Sequence, residues 1–275
     1  RIVAGGRTTV SQQIVRVDKE SKEPMGKAQE QQLEEYLKQV LPQVKGVVLS
    51  DYGSGTITDK LLGQIFAYCQ EHNIPTIVDS RYDILRFKTV DYIKQNDAEL
   101  SAAIGRDLAT EEELVQGGCE LLVKMSAKGA LITRGEDGMS LFQIISPQEA
   151  AYYVKSQEAS GSGEAGQFRE GLTVKLVVKR QTGRLSVVQE LISYQDRDIL
   201  VSHIPVTDKS EVYDVSGAGD TCVATVILGL AAGLEPLLAC QLSNEASGIA
   251  VRKMGTSVVY AQELEARFRQ LGYEA

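Results

Sequence analysis

The sequence predicts an α/β fold: a mainly parallel sheet with helices on both faces. Short apolar runs that finish in a polar residue alternate with helix-period segments through most of the chain, the rhythm of strand–helix–strand units. Those runs are continuously apolar rather than alternating, as strands covered on both faces are. The 275 residues, 43% hydrophobic and 24% charged, suit one large domain or two small ones and exclude a disordered chain.

The elements follow in order. Residues 27–41 place Leu33, Tyr36, Leu37, Val40 and Leu41 at helical spacing, with acidic residues early and Lys38 late, as the helix dipole favours. Gly46–Ser50 is a short apolar run ending in the turn cluster Asp51–Gly55. Thr58 can cap the next helix, which carries Leu61, Leu62, Ile65, Phe66 and Cys69. A buried strand at Pro75–Asp79, a strand near Val90–Ile93, a loop at Lys94–Asn96 and a short helix to Ile104 come next. Thr110 through Glu113 spells a capping box that opens a helix to about Met125. Ala130–Thr133 and Met139–Ile145 read as strands joined by the turn Gly135–Gly138. Helices return at 218–233, 236–253 and 261–271. In such sheets ligands sit at the carboxyl ends of the strands, where Asp51, Asp79, Asn96 and Thr133 fall.

Residues 146–200 break the rhythm. The Gly/Ser stretch Ser160–Gly166 and the β-like text Thr173–Lys179 predict a loop plus a hairpin inserted into the sheet protein. The expected domain plan is a strand remnant at 1–20, a core at 21–145 and 201–275, and this insertion, whose replacement from Pro147 to Arg197 the core is expected to tolerate.

Several function classes fall away. With 29 Lys+Arg against 37 Asp+Glu the net charge is −8, so no broad basic field is expected to attract nucleic acid. The longest apolar run, Cys222–Leu234, is too short for a membrane span. Cys69, Cys119, Cys222 and Cys240 are scattered without a C-x-x-C pair, which reads as reduced core thiols and a cytoplasmic protein. His72 and His203 are too few and too far apart for a zinc site or a histidine-based nucleophile. There is no P-loop motif.

The strongest chemical signal is Asp214-Val-Ser-Gly-Ala-Gly-Asp-Thr221, followed at once by an almost wholly apolar helix. Glycines at a helix start let the backbone approach a ligand closely, and the free N–H groups with the dipole favour an anion. Asp220 in that turn suits deprotonation of a hydroxyl that attacks a phosphoryl group, while the amides of Gly217, Ala218 and Gly219 stabilise the developing charge. Asn96 and Glu99 lie three apart at a helix start, where they share one face and can hold a hydrated Mg²⁺, or simply cap the helix.

These motifs resemble the ribokinase-like (PfkB-type) carbohydrate kinases. The resemblance implies ATP and Mg²⁺ as cofactors, with a monovalent cation as a further candidate, and assigns Asn96 and Glu99 to the metal and phosphates. Thr133-Arg-Gly135 with Gly138 resembles the strand-end turn near the nucleotide, and Asn244 through Gly248 with Gly255-Thr256 resembles the adenine-side elements. Within the family the chain is most similar to the kinase half of heptose 7-phosphate kinase/adenylyltransferases. The carriers are Gln12-Gln13 with Arg16 and Asp18, Leu49–Gly53, Gly138–Phe142, Glu211–Asp220 and Gly255–Ser257. By that likeness residues 1–20 are a lid remnant, and Asp51, Asp79 and Arg81 belong to the substrate side. The expected reaction is Mg·ATP-dependent phosphorylation of the C1 hydroxyl of a heptose 7-phosphate, a small-molecule sugar phosphate. A kinase for another sugar or nucleoside and a catalytically incomplete nucleotide-binding fragment remain as alternatives.

Departures from the family pattern fall on the sugar side. Ser54 stands where a Lys is usual, and Asp79-Ser-Arg81 replaces Asp-Pro-Lys; Arg can meet a phosphate bidentately but does not replace Lys one for one. The His-x-Gly-His of the adenylyltransferase half is absent. The chain opens at Arg1, at the lid, without the family's N-terminal strands, so a homo-oligomer or a missing N-terminal segment is expected, with little sugar kinase activity from residues 1–275 alone.

Overall fold

The computed structural model describes residues 2–4, 12–17, 19, 25–160, 163–165, 168–169, 171–182, 185–209 and 212–272. Asp18 and Glu211 lie outside the described residues, as do the side chains of Gln12 and Gln13 and part of the stretch 160–166.

Two short strands, β1 (Ile2–Ala4) and β2 (Gln12–Val15), pair antiparallel as a separate ribbon. The main body then runs α1 (Lys27–Val40), β3 (Val47–Asp51), α2 (Asp59–Glu71), β4 (Thr76–Ser80), β5 (Tyr92–Asn96), α3 (Asp97–Ile104), α4 (Glu111–Met125), β6 (Gly129–Thr133) and β7 (Met139–Ile145). It continues through α5 (Pro147–Ser160), β8 (Gly163–Ala165), β9 (Phe168–Arg169), β10 (Leu172–Thr182), β11 (Leu185–Tyr194) and β12 (Arg197–Ile204), and closes with α6 (Ala218–Ala231), α7 (Pro236–Ala250) and α8 (Ala261–Gln270).

The sheet is mixed, in the order β3-β4-β5-β6-β7-β12-β11-β10-β8, with β9 beside β10. Its core strands β3 to β6 are parallel, and every pairing from β6–β7 onward is antiparallel. Side-chain alternation along each strand feeds two cores. Val78, Ile93, Ala130, Ile132 and Phe142 pack against α2 and α4 on one face. Ile77, Leu131, Met139 and Leu141 meet Cys222, Val223, Val226, Ile227 and Cys240 of α6 and α7 on the other. All four cysteines are buried free thiols, and burial pushes Cys69 up to about 11 and Cys119 up to about 12.

Three expectations need correction. Lys94–Asn96 is strand, not loop: Lys94 and Gln95 are polar but buried, and each finds partners inside the sheet. Residues 147–160 are helix rather than loop, opened where the Ser146 hydroxyl accepts from the Glu149 N–H at 3.2 Å and the Glu149 carboxylate accepts from the Ser146 N–H at 2.7 Å. The hairpin β10–β11 is no dispensable excursion. Leu172, Val174 and Ile192 of the hairpin belong to the main core shared with α4, beside Ile199 and Val201 of β12, so replacing Pro147–Arg197 is expected to remove core as well as surface.

Candidate active site

Parallel register brings the polar strand ends to one edge. Asp51 pairs with Ser80 across β3 and β4, and Asp79 with Lys94 across β4 and β5. Opposite them α6 begins, with Gly217 as its N-cap at φ 82° and Asp220 in its first turn. A cleft of about 130 Å³ opens between these parts, lined by Ser50, Asp51, Tyr52, Asp79, Arg81, Lys94, Glu99, Gly219 and Asp220. Six of the residues singled out in the sequence therefore meet in one place: Asp51, Asp79, Arg81, Glu99, Gly219 and Asp220.

Their local roles differ. Asp51 is a brace. One oxygen accepts from the Gly53 N–H at 3.0 Å and the other from the Ser80 hydroxyl at 2.8 Å, while its carbonyl accepts from the Arg81 N–H at 3.0 Å. Ser80 thus ties the two departing loops together. The Arg81 guanidinium and the Asp220 carboxylate are exposed and, among the described residues, have no hydrogen bond or ion pair in the structure.

Lys94 is the cleft residue that sequence reasoning missed. Its ammonium is buried, donates to Asp79 Oδ2 at 3.0 Å, and lies 3.1 Å from where a Cβ on residue 219 would stand. Glycine at 219 therefore leaves room for the lysine beneath the turn. Burial favours the neutral amine, but the charge and hydrogen bond of Asp79, with Glu99 behind them, outweigh it and hold Lys94 above its ordinary pKa. The detectable signal was a lysine in a strand flanked by Ile93 and Gln95, two residues before Asn96.

Asn96 and Glu99 form a reciprocal cap on α3: the Asn96 carbonyl oxygen accepts from the Glu99 N–H at 2.7 Å, and Glu99 Oε2 accepts from the Asn96 N–H at 2.8 Å. Glu99 still lines the cleft. Among the described residues no group of three His, Cys, Asp or Glu side chains is placed to hold a metal ion. The donor set accordingly suits a hydrated Mg²⁺ held mainly by water and phosphate oxygens, not a caged metal.

The remaining candidates stand outside the cleft lining. Thr133 ends β6 beside Asn96, and its hydroxyl donates to the Gln95 carbonyl at 3.4 Å. Gly135 and Gly138 shape the β6–β7 turn, closed by the Arg134 N–H on the Gly138 carbonyl at 2.8 Å. A Cβ at Gly138 would stand 2.1 Å from the Ile204 carbonyl oxygen, so that glycine is required by packing. Asn244 is buried and donates to the Pro205 carbonyl at 2.9 Å. Gly248 lies one turn further along α7. That helix cradles the glycine turn, with Ser247 Oγ donating to the Ala218 carbonyl at 3.3 Å and the Val251 carbonyl just beyond α7 accepting from the Tyr213 N–H at 2.9 Å.

The sequence profile of the pfkB family carbohydrate kinase matches residues 4–160 and 192–262, which takes in the strand ends, the caps and the glycine turn just described. The chain belongs to the pfkB family of carbohydrate kinases. Members of that family are described as carbohydrate kinases. It is 32% identical over 273 residues to the bifunctional protein HldE of Hyphomonas neptunium, a match that takes in 99% of this chain and 44% of that protein. The chain thus spans less than half the length of this curated relative. Phosphofructokinase-2 from Escherichia coli, solved with substrates and products, superposes with a TM-score of 0.56 at 17% identity, over 91% of this chain and 64% of its own. Ribokinase from Arabidopsis thaliana, complexed with ribose and ATP, gives 0.55 at 16%, over 92% and 61%. The Escherichia coli enzyme is also known with potassium and as an inhibited tetramer. The ribokinase-like fold is therefore established. Among the described residues no helix is long and apolar enough to cross a membrane.

Proposed function

We propose that this pfkB kinase transfers the γ-phosphoryl group of Mg·ATP to a sugar phosphate, with the C1 hydroxyl of a heptose 7-phosphate as acceptor. The observation that carries the reading is the single cleft in which the exposed Asp220 faces the Lys94–Asp79 pair, Glu99 and Arg81. Asp220, with no competing ion pair, accepts the proton of the attacking hydroxyl. The amides of Gly217, Ala218 and Gly219 at the start of α6 offer donors to the charge that develops on the transferred group. Lys94, just beneath Gly219, adds positive charge to a turn that already favours anions. Glu99, with the Asn96 amide beside it, would hold Mg²⁺ through water, and the ion when bound neutralises phosphate charge. The free Arg81 fork suits the phosphate already on the acceptor, and the likeness to HldE supports a heptose. Thr133, Gly135, Gly138, Asn244 and Gly248 are assigned to the nucleotide side through the elements they shape. A homo-oligomer and a monovalent cation belong to the same reading, supported by the tetramer and the potassium complex of the Escherichia coli relative.

The test is Asp220→Asn, which keeps shape and removes the base. Turnover of a panel of heptose and hexose phosphates should fall by about 10²–10⁴, with calorimetric affinity for Mg·ATP kept or slightly raised. Normal turnover in the variant would remove Asp220 as base, and a folded protein without Mg·ATP binding would overturn the reading.

A further inference from the structure

The glycine turn rests on α7, and the buried charge that α7 carries, Glu245, is paired by a residue from outside the family match. Glu245 on α7 is 3% exposed, on a helix whose other buried residues are small or neutral. Its Oε1 accepts from the Thr207 hydroxyl at 2.6 Å and its Oε2 from Arg267 Nε at 2.7 Å. The ring closes where Arg267 Nη2 donates to Thr207 Oγ1 at 2.8 Å. Arg267 sits on α8, beyond residue 262 where the family profile ends. Its third nitrogen lies 3.6 Å from Asp208, whose carboxylate also meets Arg252 at 3.2 Å. The segment 205–208 is thus held against α7 at both ends, since Asn244 takes the Pro205 carbonyl.

We infer that Arg267 is a positioning residue for the phosphate turn, acting through Glu245 and Thr207. The path is short. Arg267 sets the seat of α7; α7 holds Ala218 through Ser247, and Cys222 through Ser243 Oγ at 3.2 Å, while the Val251 carbonyl at its end holds Tyr213 and Asp214. A buried carboxylate is costly unless fully satisfied, and such groups can fix one arrangement among several packings. Here the arrangement fixed is the distance between α7 and the strand that feeds the turn. The role of the turn in binding phosphate rests on the function proposed above; the latch itself does not.

The experiment compares Arg267→Met, Arg267→Lys and the double variant Arg267→Met/Glu245→Gln, which leaves no unpaired buried charge and so protects folding. Amide hydrogen exchange and Mg·ATP calorimetry are read well below each variant's melting temperature. The expected result is faster exchange at the Tyr213 and Asp214 amides in Arg267→Met and in the double variant. Protection at Ile77 and Ile93 should stay unchanged, and Mg·ATP affinity should fall by about tenfold to a hundredfold, as for displaced positioning groups. Arg267→Lys should restore part of both. Uniform loss of protection, or unchanged protection at 213–214 in the folded double variant, would overturn the latch. Loosened 213–214 amides with no Mg·ATP binding even by the parent chain would leave the latch standing and remove the phosphate reading instead.

Discussion

The two halves of the sheet bury polar side chains to opposite effect. In the parallel half, β3, β4 and β5 all finish at the same edge, and register sets Asp51 beside Ser80 and Asp79 beside Lys94. Polar groups therefore accumulate at one rim, facing the start of α6, with Arg81 and Asp220 unsatisfied there. In the antiparallel half, neighbouring strands finish at opposite edges, so polar groups meet in pairs inside the sheet. Gln189 donates to Ser202 at 2.9 Å and accepts from the Tyr153 hydroxyl at 3.1 Å, and Ser140 lies 3.0 Å from His203 Nδ1. Satisfied pairs of this kind specify packing. Direction of pairing, more than composition, decides which half gathers the candidate site.

The largest expected effect tests the parallel half. Lys94→Met leaves Asp79 buried beside Glu99 and Asp220 without its cation. Breaking a buried pair in this way costs about 3–5 kcal/mol, with the lower end expected because the Asp79 side chain is 18% exposed. Adding Asp79→Asn should recover most of that loss, and urea denaturation of the two variants reads it directly. A single variant as stable as the parent would show that the pair does not hold the cleft floor.

The antiparallel half should respond in stability alone. Ile192 on β11 is 0% exposed and packs in the core that α4 and β6 share. Ile192→Ala should cost about 2–5 kcal/mol by cavity formation while Mg·ATP affinity, measured in the folded state, stays put. An unchanged denaturation midpoint would return the hairpin to the surface excursion that its sequence suggests, and a lost affinity would tie it to the site.

The same contrast explains what the sequence made legible. Apolar periodicity and caps were readable wherever they are local: Thr58 at α2, Thr110 with Glu113 at α4, and the continuous runs of β3, β4 and β6 all appear as expected. The candidate site was readable at Asp220 and the glycine turn because eight consecutive residues spell the motif. Lys94 was not, because its meaning depends on Asp79, fifteen residues away and adjacent only through strand register. The helix α5 hid because its mixed polar face packs on a small satellite cluster of Ala150, Leu176, Val178 and Leu191. Asn244 reads as a nucleotide-side candidate in sequence, and its amide also donates to the Pro205 carbonyl, a partner across the fold that spacing cannot show.

The smallest expected effect lies in the caps, which both halves share. Glu113 accepts from the Ala109 and Thr110 N–H groups at 2.8 and 2.9 Å, and these bonds hold its carboxyl below the ordinary 4.5. Glu149 is lowered in the same way by the Ser146 N–H at the start of α5. A depressed folded-state pKa means stability that is present above the unfolded value and lost as pH falls through the folded one. Glu113→Gln and Glu149→Gln keep the acceptor oxygen and remove the charge, so each should lower stability slightly at pH 7, with the gap to the parent closing as the pH drops below about 4. The two should differ in reach. α4 places Val115, Cys119, Leu121 and Leu122 at 0% exposure in the main core, so its cap should register in the global unfolding midpoint. α5 packs on the satellite cluster, so its cap should register mainly as faster amide exchange within 147–157. Equal global shifts from both variants would mean that the two halves unfold as one unit, and a gap that persists below pH 3 would mean that shape rather than charge makes the caps.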